Sequence, residues 1–475
     1  MPLYQMTPAR SSRAASVQAL RGRSILIASA AVATLLAGTV ACNPGNALKI
    51  PQPDNLNASS VNTAAALPAL LAGTLSSFQI AYSGAADEGN GGHEGFVNLT
   101  GIFSDEMQSE ETFPTRILID GRQASAANAT LKGYFIDLTS ARAIADKTDS
   151  KYNIFAADSV GHGLALAIGG YTYVMFAEAY CEGVPVSTIN DNGSITYGQP
   201  LTREQLLQIA VQRFDSAITI AGHDGDSATI NLARVGAGRA LLDSNDAAAA
   251  ATAVAAVPVS FAYAIGASTN SSVENNGIWT YTFNELGCSG SDTEGHNGLA
   301  FVSEHDPRVP VINVTDTPGP DSGDVGTSGL GCPAHCIPFF QQQLYPTQSS
   351  PIPLATGIEA QLIIAENQQR TGGGWVATLN ALRATVPGLA PIAATGSPAG
   401  DVSLLFHERA FWMYLTGHRV GDLRRLIRQY GRNVNAVFPI GIDINGAAYG
   451  PDVNFNISED EANNPNFHGC LNRNA

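Results

Sequence analysis

The chain of 475 residues is acidic and moderately apolar, with a formal net charge of −16, 44% hydrophobic residues and 14% charged residues. This composition is typical of a folded protein with a substantial core and excludes an intrinsically disordered chain. An acidic surface repels phosphate backbones, so nucleic acid is not an expected partner, and by length alone the chain has room for two or three domains.

Residues 1–41 are predicted to be a signal peptide. A basic flank precedes the apolar run 24–41, and small residues lead into Cys42, which together are typical of a secretory signal. The basic flank holds Arg10, Arg13, Arg21 and Arg23, and without these four arginines the formal charge is −20. A cysteine at this point indicates a lipobox, in which the thiol of Cys42 takes a lipid and becomes the mature N-terminus. The alternative is an uncleaved membrane anchor, because the run approaches the roughly 18 residues that span a bilayer.

Residues 42–62 are predicted to be the lipidated N-terminus and a tether with little structure, since three prolines fall there. Five cysteines follow Cys42, so at least one thiol stays unpaired within a monomer. Cys332 and Cys336, with Cys288 as a third candidate, lie in loop-like sequence where a disulfide would hold the loop of an exported chain, and Cys332–Cys336 is the favoured pair. A zinc site with His335 is the alternative, although one C-x-x-x-C without a second ligand pair is a weak zinc signal.

Hydrophobic residues at helical spacing predict an N-terminal helical scaffold over residues 63–257. Thr202 and Gln205 form a capping box that opens one of its helices. The helices are predicted at 63–83, 124–148, 158–181, 202–221, 230–242 and 246–257.

Residues 258–353 are predicted to be a loop-rich insert, because Pro, Gly, Ser, Thr and Asn are frequent there and the helical spacing of hydrophobic residues is absent. This insert is the predicted ligand-binding region. Trp279, Tyr281 and Phe283 alternate in GIWTYTFNE, so an extended segment would place all three rings on one face. Such rings present apolar area to the C–H faces of sugars, while polar neighbours orient the ligand. The alternative is a strand whose aromatic face packs on the helices. The polar neighbours are Asn275, Asn276, Glu285 and Asp292.

Residues 354–475 are predicted to hold C-terminal helices and an irregular tail. Helices are expected at 357–367 and 372–386, followed by a long apolar stretch, 400–432, with Asp401 as its N-cap. Charges within this stretch should form structural ion pairs, because an unpaired buried charge is very costly. Arg419 and Asp422, three residues apart, are expected to face each other. The residues predicted to form these pairs are Glu408, Arg409, Arg419, Asp422 and Arg425.

The segment ERAFWMYLTGHRVGDLRR, residues 408–425, resembles the C-terminal signature of the SusD/RagB family. Downstream, Phe438-Pro439-Ile440 resembles the F-P-I-P of that family, and Asn464-Pro465-Asn466 resembles its terminal N-P-N. The resemblance implies a mainly α fold, in which a tetratricopeptide-like scaffold of helical pairs carries a large irregular loop-rich insert. It also implies a lipoprotein anchored at the cell surface in the outer membrane, with a SusC-like TonB-dependent transporter as partner.

No catalytic residue, metal or cofactor is predicted from the sequence. His407 and Glu408 begin a zincin-like motif, but Phe411 stands where the second histidine ligand is required. The acidic loops 224–226 and 443–452 could offer oxygen ligands to calcium, yet neither fits an EF-hand spacing. A carboxylate pair for glycosidic cleavage needs only spatial proximity and leaves no sequence motif.

Three functions are therefore weighed. The first, which the resemblance favours, is non-catalytic surface binding of an oligosaccharide or peptide and its delivery to a TonB-dependent outer-membrane transporter. The second is an exported glycan hydrolase, and the third is a helical-repeat interaction scaffold without a small ligand.

Overall fold

Helices carry the architecture of the residues that this computed structural model describes, which are 62–86, 93–314 and 338–475. These residues belong to one compact unit, Ala58–Ala475. The predicted signal peptide, Cys42, nearly all of the tether and the Cys332–Cys336 disulfide lie outside the described residues. The boundaries drawn from the sequence within the body remain predictions.

The N-terminal half is a series of helices that pack on their neighbours in the chain. Helix α4 packs on α5, α5 on α6, α6 on α7 and α7 on α8, while α1 returns to lie on α4. This serial pairing is the arrangement expected of a tetratricopeptide-like scaffold, so the mainly α prediction is confirmed. The helices are α1 (Leu67–Ser83), α2 (Gly95–Phe103), α3 (Pro114–Asp120), α4 (Ala129–Phe155), α5 (Val160–Ala179), α6 (Arg203–Asp224), α7 (Ser227–Asp243) and α8 (Ala247–Val254).

Side-chain caps fix where several of these helices begin. The capping box predicted at Thr202 and Gln205 is present at the start of α6. The carboxylate of Asp226 accepts from the backbone N–H groups of Ala228 and Thr229 and so caps α7. The acidic loop 224–226 therefore supplies a helix cap.

Strands are short and pair only two by two within the described residues. The pair β1–β7 joins the N-terminal body to the insert, and the pair β6–β10 joins the start of the insert to its end. The strands are β1 (Met107–Ser109), β2 (Val184–Pro185), β3 (Thr188–Ile189), β4 (Ile195–Thr196), β5 (Pro200–Leu201), β6 (Ala262–Ile265), β7 (Cys288–Gly290), β8 (Val311–Asn313), β9 (Phe340–Gln342) and β10 (Ile352–Thr356). β2 pairs with β5, β3 with β4, and β8 with β9.

The aromatic segment of the insert is helical, and the expectation of an extended strand is wrong. It forms one α-helical turn, α9 (Gly277–Trp279), which continues into a π-helical turn, Thr280–Asn284. The side-chain oxygen of Asn276 accepts from the backbone N–H of Trp279, 3.0 Å away, and starts the turn.

Four helices follow: α10 (Gly357–Thr371), α11 (Trp375–Arg383), α12 (Pro398–Trp412) and α13 (Arg419–Tyr430). The long stretch 400–432 is thus two helices joined by an elbow, residues 413–418. The N-cap of α12 is Ser397, whose hydroxyl accepts from the N–H of Gly400. The carboxylate of Asp401 instead accepts from the N–H and hydroxyl of Thr395.

A disulfide joins Cys181, two residues after the end of α5, to Cys470 in the C-terminal tail. The two cysteines are 289 residues apart in the sequence, and no local pattern pairs them. Cys288 is a buried free thiol in β7.

Two helical segments among the described residues are long and apolar enough to cross a membrane by length and composition, Ala64–Ser83 and Val160–Ala179. In Val160–Ala179, 83% of the apolar window is buried inside the protein, and the segment is the central core helix α5. Buried core helices can be as long and as apolar as membrane-spanning helices, so length and composition do not distinguish the two for these segments.

Candidate functional site

A buried arginine in α3 organises the surface beside the aromatic segment of the insert. Arg116 is 2% exposed, and its guanidinium lies 2.7 Å from Glu111 Oε2, 3.1 Å from Glu94 Oε1 and 3.2 Å from Glu285 Oε2. Its Cζ also lies 4.3 Å from the centre of the Tyr281 ring. Arg116 therefore anchors the helical turn of the insert to α2 and α3.

The protonation of this cluster follows from burial and from the single cation at its centre. Burial raises the pKa of Glu111 to about 7, and the charge of Arg116 opposes that rise. Burial likewise raises the pKa of Glu285, again opposed by Arg116. For Arg116 itself, burial disfavours the charged form, but Glu111 and Glu94 outweigh it and raise the pKa. The arginine stays charged at every pH of interest.

The structure separates the three aromatic residues that the sequence placed on one face. Tyr281 is fully buried beneath Arg116 and is not available to a ligand. Trp279 and Phe283 are half-buried and four residues apart on the helical turn, so they lie on the same side of it. The reason is the helical period, which sends i and i+4 outward together and sends i+2 inward.

Two of the predicted polar residues have structural roles. Asn276 is fully buried; its amide donates to the carbonyl of Ser350 while its oxygen caps the aromatic turn. Asp292 accepts from the backbone N–H groups of Val302 and Ser303 and holds a loop of the insert. Glu285 is exposed and is the one residue of this polar group that can both reach solvent and stay fixed by Arg116.

One surface residue of this site was missed in the sequence. Phe113, directly before α3, is 51% exposed, and the Cζ of Arg116 lies 4.8 Å from its ring centre. Arg116 thus contacts Phe113 on the outside and Tyr281 on the inside. A single phenylalanine in an acidic segment carries no periodic signal, so only the fold could reveal it. Trp279, Phe283, Phe113 and Glu285 are named the aromatic face from here on.

The aromatic face offers a surface for binding. Partly exposed rings suit the apolar faces of a flat ligand, and Glu285 offers a carboxylate at the edge. The acids behind the face, Glu94 and Glu111, are buried against Arg116. Within the described residues no group of three or more His, Cys, Asp or Glu side chains is placed to hold a metal ion.

The predicted ion-pair residues all have charged partners, although one predicted pairing is wrong. Asp422 lies 3.0 Å from Arg409 and 2.6 Å from Arg425, and not against Arg419. Arg419 instead donates two hydrogen bonds, of 2.6 and 2.7 Å, to the carboxylate of Asp105. Glu408 pairs with Arg308 at 2.8 Å and with Arg383 at 2.5 Å. Arg425 reaches Glu366 at 2.5 Å, so the network links α10, α12 and α13.

This architecture matches solved structures over most of the chain. A SusD-like carbohydrate-binding protein from Bacteroides fragilis superposes with a TM-score of 0.62 at 15% identity, covering 86% of this chain and 99% of that one. The surface glycan-binding protein A of Bacteroides thetaiotaomicron, in complex with laminarihexaose, gives 0.62 at 12% identity, with coverages of 86% and 99%. A SusD superfamily protein from Bacteroides vulgatus gives 0.56 at 14% identity, with coverages of 85% and 98%.

The chain has the SusD-like fold. No protein-family model and no curated protein matches the sequence. The sequence identity to these three structures is only 12–15%, so the likeness is one of fold.

Proposed function

We propose that this protein binds glycans at the cell surface without cleaving them. The observation that carries the proposal is the aromatic face, in which Trp279, Phe283 and Glu285 come from the insert of a SusD-like fold. Its fourth residue, Phe113, comes from the scaffold, and Arg116 contacts both Phe113 and Glu285. Proteins with this fold include one described as carbohydrate-binding and one in complex with laminarihexaose. A rigid aromatic surface binds sugar rings because little side-chain entropy is lost on contact.

Delivery of the bound glycan to a TonB-dependent outer-membrane transporter is the second part of the proposal. It rests on the resemblance of residues 408–425 to the SusD/RagB signature and on the signal-like N-terminus ending at Cys42. The disulfide between Cys181 and Cys470 supports export, because such bonds persist in oxidising compartments. In this proposal Cys42 carries the lipid that anchors the protein in the outer membrane, and a SusC-like barrel is its partner.

The binding proposal is tested by calorimetric titration of purified protein with neutral oligosaccharides, beginning with laminarihexaose. Trp279→Ala should weaken binding about fivefold or more, because the loss of one stacking aromatic side chain costs about 1–3 kcal/mol where nucleobases stack on such rings. Tyr197→Ala is the matched control, since Tyr197 is a 42% exposed aromatic residue on the hairpin that follows α5. It should leave the affinity unchanged.

Four outcomes oppose the proposal, one of which combines the titration with a thermal unfolding measurement. Equal loss in both variants, or loss in Trp279→Ala accompanied by a lower unfolding temperature, removes the aromatic face as the site. Absence of binding across the panel favours an interaction scaffold. Reproducible release of shorter products during the titration favours a hydrolase.

The anchor and the partner need separate measurements. Intact mass of the mature protein should give an N-terminus at Cys42 plus the mass of the lipid; an N-terminus upstream of Cys42 contradicts the lipoprotein proposal. Isolation of the tagged protein from detergent-solubilised membranes should recover a large β-barrel protein in stoichiometric amount, and recovery of the protein alone contradicts the transporter proposal.

A further inference from the structure

A cavity of about 230 Å³ opens between α4 and the hairpin of β3 and β4. It shares no residue with the aromatic face. Its lining is unusually basic for a chain with 25 basic and 41 acidic residues. The residues that line it are Arg142, Ala143, Asp146, Lys147, Ser150, Lys151, Thr188, Ile189, Asn190 and Asp191.

The inner wall of the cavity is fixed and carries surplus positive charge. Arg142, 2% exposed, donates to Asp146 at 2.7 Å and to the carbonyl of Ser187 at 2.6 Å. The other oxygen of Asp146 takes a bond of 2.5 Å from Arg213. One carboxylate is therefore shared by two guanidinium groups, so it cannot neutralise them both.

The outer wall holds two ammonium groups and a single carboxylate. Lys147 and Lys151 are one turn apart on α4, and Asp191 bridges them, with Oδ1 3.3 Å from Lys147 and Oδ2 2.8 Å from Lys151. The bonds from these lysines lower the pKa of Asp191, so it is ionised there. Within the described chain no other carboxylate lies within ion-pair distance of either lysine.

The side chain of Asp191 can leave this position at little cost. It is 59% exposed, whereas that of Lys151 is 4% exposed. An ion pair made with an exposed carboxylate is screened by water and contributes little. The Lys151 ammonium is held more firmly, because it also donates to the side-chain oxygen of Asn62, 3.2 Å away. A ligand carboxylate can therefore take the place of the Asp191 carboxylate between the two lysines, while the Asp191 side chain turns to solvent.

We propose that this cavity binds the carboxylate of a small hydroxylated acid, of the hexuronic acid class, in the position that Asp191 occupies. The two ammonium groups would take one carboxylate oxygen each, as they do with Asp191. The exposed side chain of Ser150 and the amide oxygen of Asn190 line the cavity and are suited to ring hydroxyl groups. The inference does not rest on the proposed function, because failure of binding at the aromatic face leaves this cavity unchanged.

Ligand-observed NMR titration of the purified protein with D-glucuronate tests the assignment, with D-glucose as the neutral control. Wild-type protein should bind glucuronate and not glucose, and added salt should weaken the binding. Lys147→Gln, whose side chain is 31% exposed, should weaken glucuronate binding about fivefold without unfolding the protein. Asp191→Asn should strengthen it by a similar factor, about fivefold, because it removes the internal competitor.

The opposite behaviour of the two variants is the decisive observation. Unchanged affinity in Lys147→Gln, or weaker binding in Asp191→Asn, overturns the proposal. Equal binding of glucose also overturns it, because the lysines would then not recognise the carboxylate. Tighter binding of inorganic phosphate than of glucuronate replaces the sugar-acid assignment with a general anion site and overturns it as well.

Discussion

At the scale of single residues, the sequence predicts that buried charges form ion pairs but does not identify the partner of each charge. Burial in an apolar segment requires that Arg419 have a partner. That partner is Asp105, 314 residues away, and no local spacing could point to it. The same holds for Arg116 and Glu285, which are 169 residues apart. Sequence predicts that such charges pair, whereas the fold decides with which residue.

Replacing the buried arginine of the aromatic face tests how much it contributes. Arg116→Met removes the cation and leaves Glu94, Glu111 and Glu285 close together. We expect the free energy of unfolding to fall by about 3–5 kcal/mol, as when one partner of a buried pair is removed. Urea unfolding followed by circular dichroism measures this.

The matched control is Lys132→Met. Lys132 forms an exposed ion pair with Asp460 at 2.8 Å, so its loss should hardly change the unfolding curve. If the two methionine variants unfold at the same urea concentration, Arg116 does not organise the site in the way described.

In the aromatic segment the predicted strand was wrong for a physical reason. Aromatic residues at 279, 281 and 283 alternate, and alternation is the usual pattern of a strand. Asn276 before Gly277 was the contrary signal, since asparagine is among the preferred N-cap residues. Given the cap, the helical period makes Trp279 and Phe283 outward-facing and Tyr281 buried, as observed. Which aromatic residues are exposed depends on the type of secondary structure.

At the scale of elements, hydrophobic residues at helical spacing predicted the long helices. They did not predict the short helices α2 and α3, and they predicted the joints between helices poorly. The stretch 400–432 reads as continuous because it contains no proline. Its elbow depends on positive backbone angles at Leu415, φ 52°, and Gly417, φ 78°. Leu415 is held there from outside the stretch, because its N–H donates to Glu106 and its carbonyl accepts from Tyr345. Tertiary contacts therefore break a helix that local sequence would continue.

The packing of the elbow can be tested by comparing a glycine inside it, Gly417, with a control glycine outside it, Gly431. Gly417 and Gly431 both have positive φ, of 78° and 65°. A Cβ at Gly417 would lie 2.7 Å from the Phe96 ring, whereas nothing lies within 4 Å of one at Gly431. Gly431→Ala should therefore cost about 1 kcal/mol of stability from backbone strain alone.

Gly417→Ala should cost about 2–4 kcal/mol, because the steric conflict with Phe96 adds to the same strain. Chemical denaturation of both variants, compared with the unmodified protein, gives the two values. Equal costs would mean that Phe96 moves aside freely and that the elbow is not tightly packed.

The disulfide also links two elements, since it joins the C-terminal tail to Cys181, two residues after α5. Reduction, or Cys470→Ser, should destabilise the protein by about 2–5 kcal/mol. Limited proteolysis should then cut first in the C-terminal tail. In Cys470→Ser the bond to Cys181 is already absent, so reducing agent should not speed the cutting of the tail any further, whatever it does at the predicted Cys332–Cys336 bond. Unchanged protease resistance after reduction would show that packing alone holds the tail.

At the scale of the whole molecule, two classes of buried carboxyl group set a pH window. Glu359 represents the first class: it pairs with Arg239 at 2.7 Å, and although burial favours its neutral form, Arg239 and His418 outweigh burial and hold its pKa at about 2. Burial raises the pKa of Glu106 to about 8, and that of Asp120 to about 7. The first class contributes stability that is lost as the solution becomes strongly acidic. The second class costs stability as the pH rises above about 4.5, the range in which the unfolded chain has lost its protons.

The unfolding free energy should therefore be highest in mildly acidic solution and fall between pH 5 and pH 8.5. Glu106→Gln isolates one contribution, because the amide oxygen keeps the bond to the N–H of Leu415 while the titrating proton is gone. The variant should lose less stability than the unmodified protein over that interval, by on the order of 3 kcal/mol. Urea titrations at several pH values compare the two slopes. Parallel slopes would mean that Glu106 titrates alike in the folded and unfolded chains, and the buried acids would then not set the window.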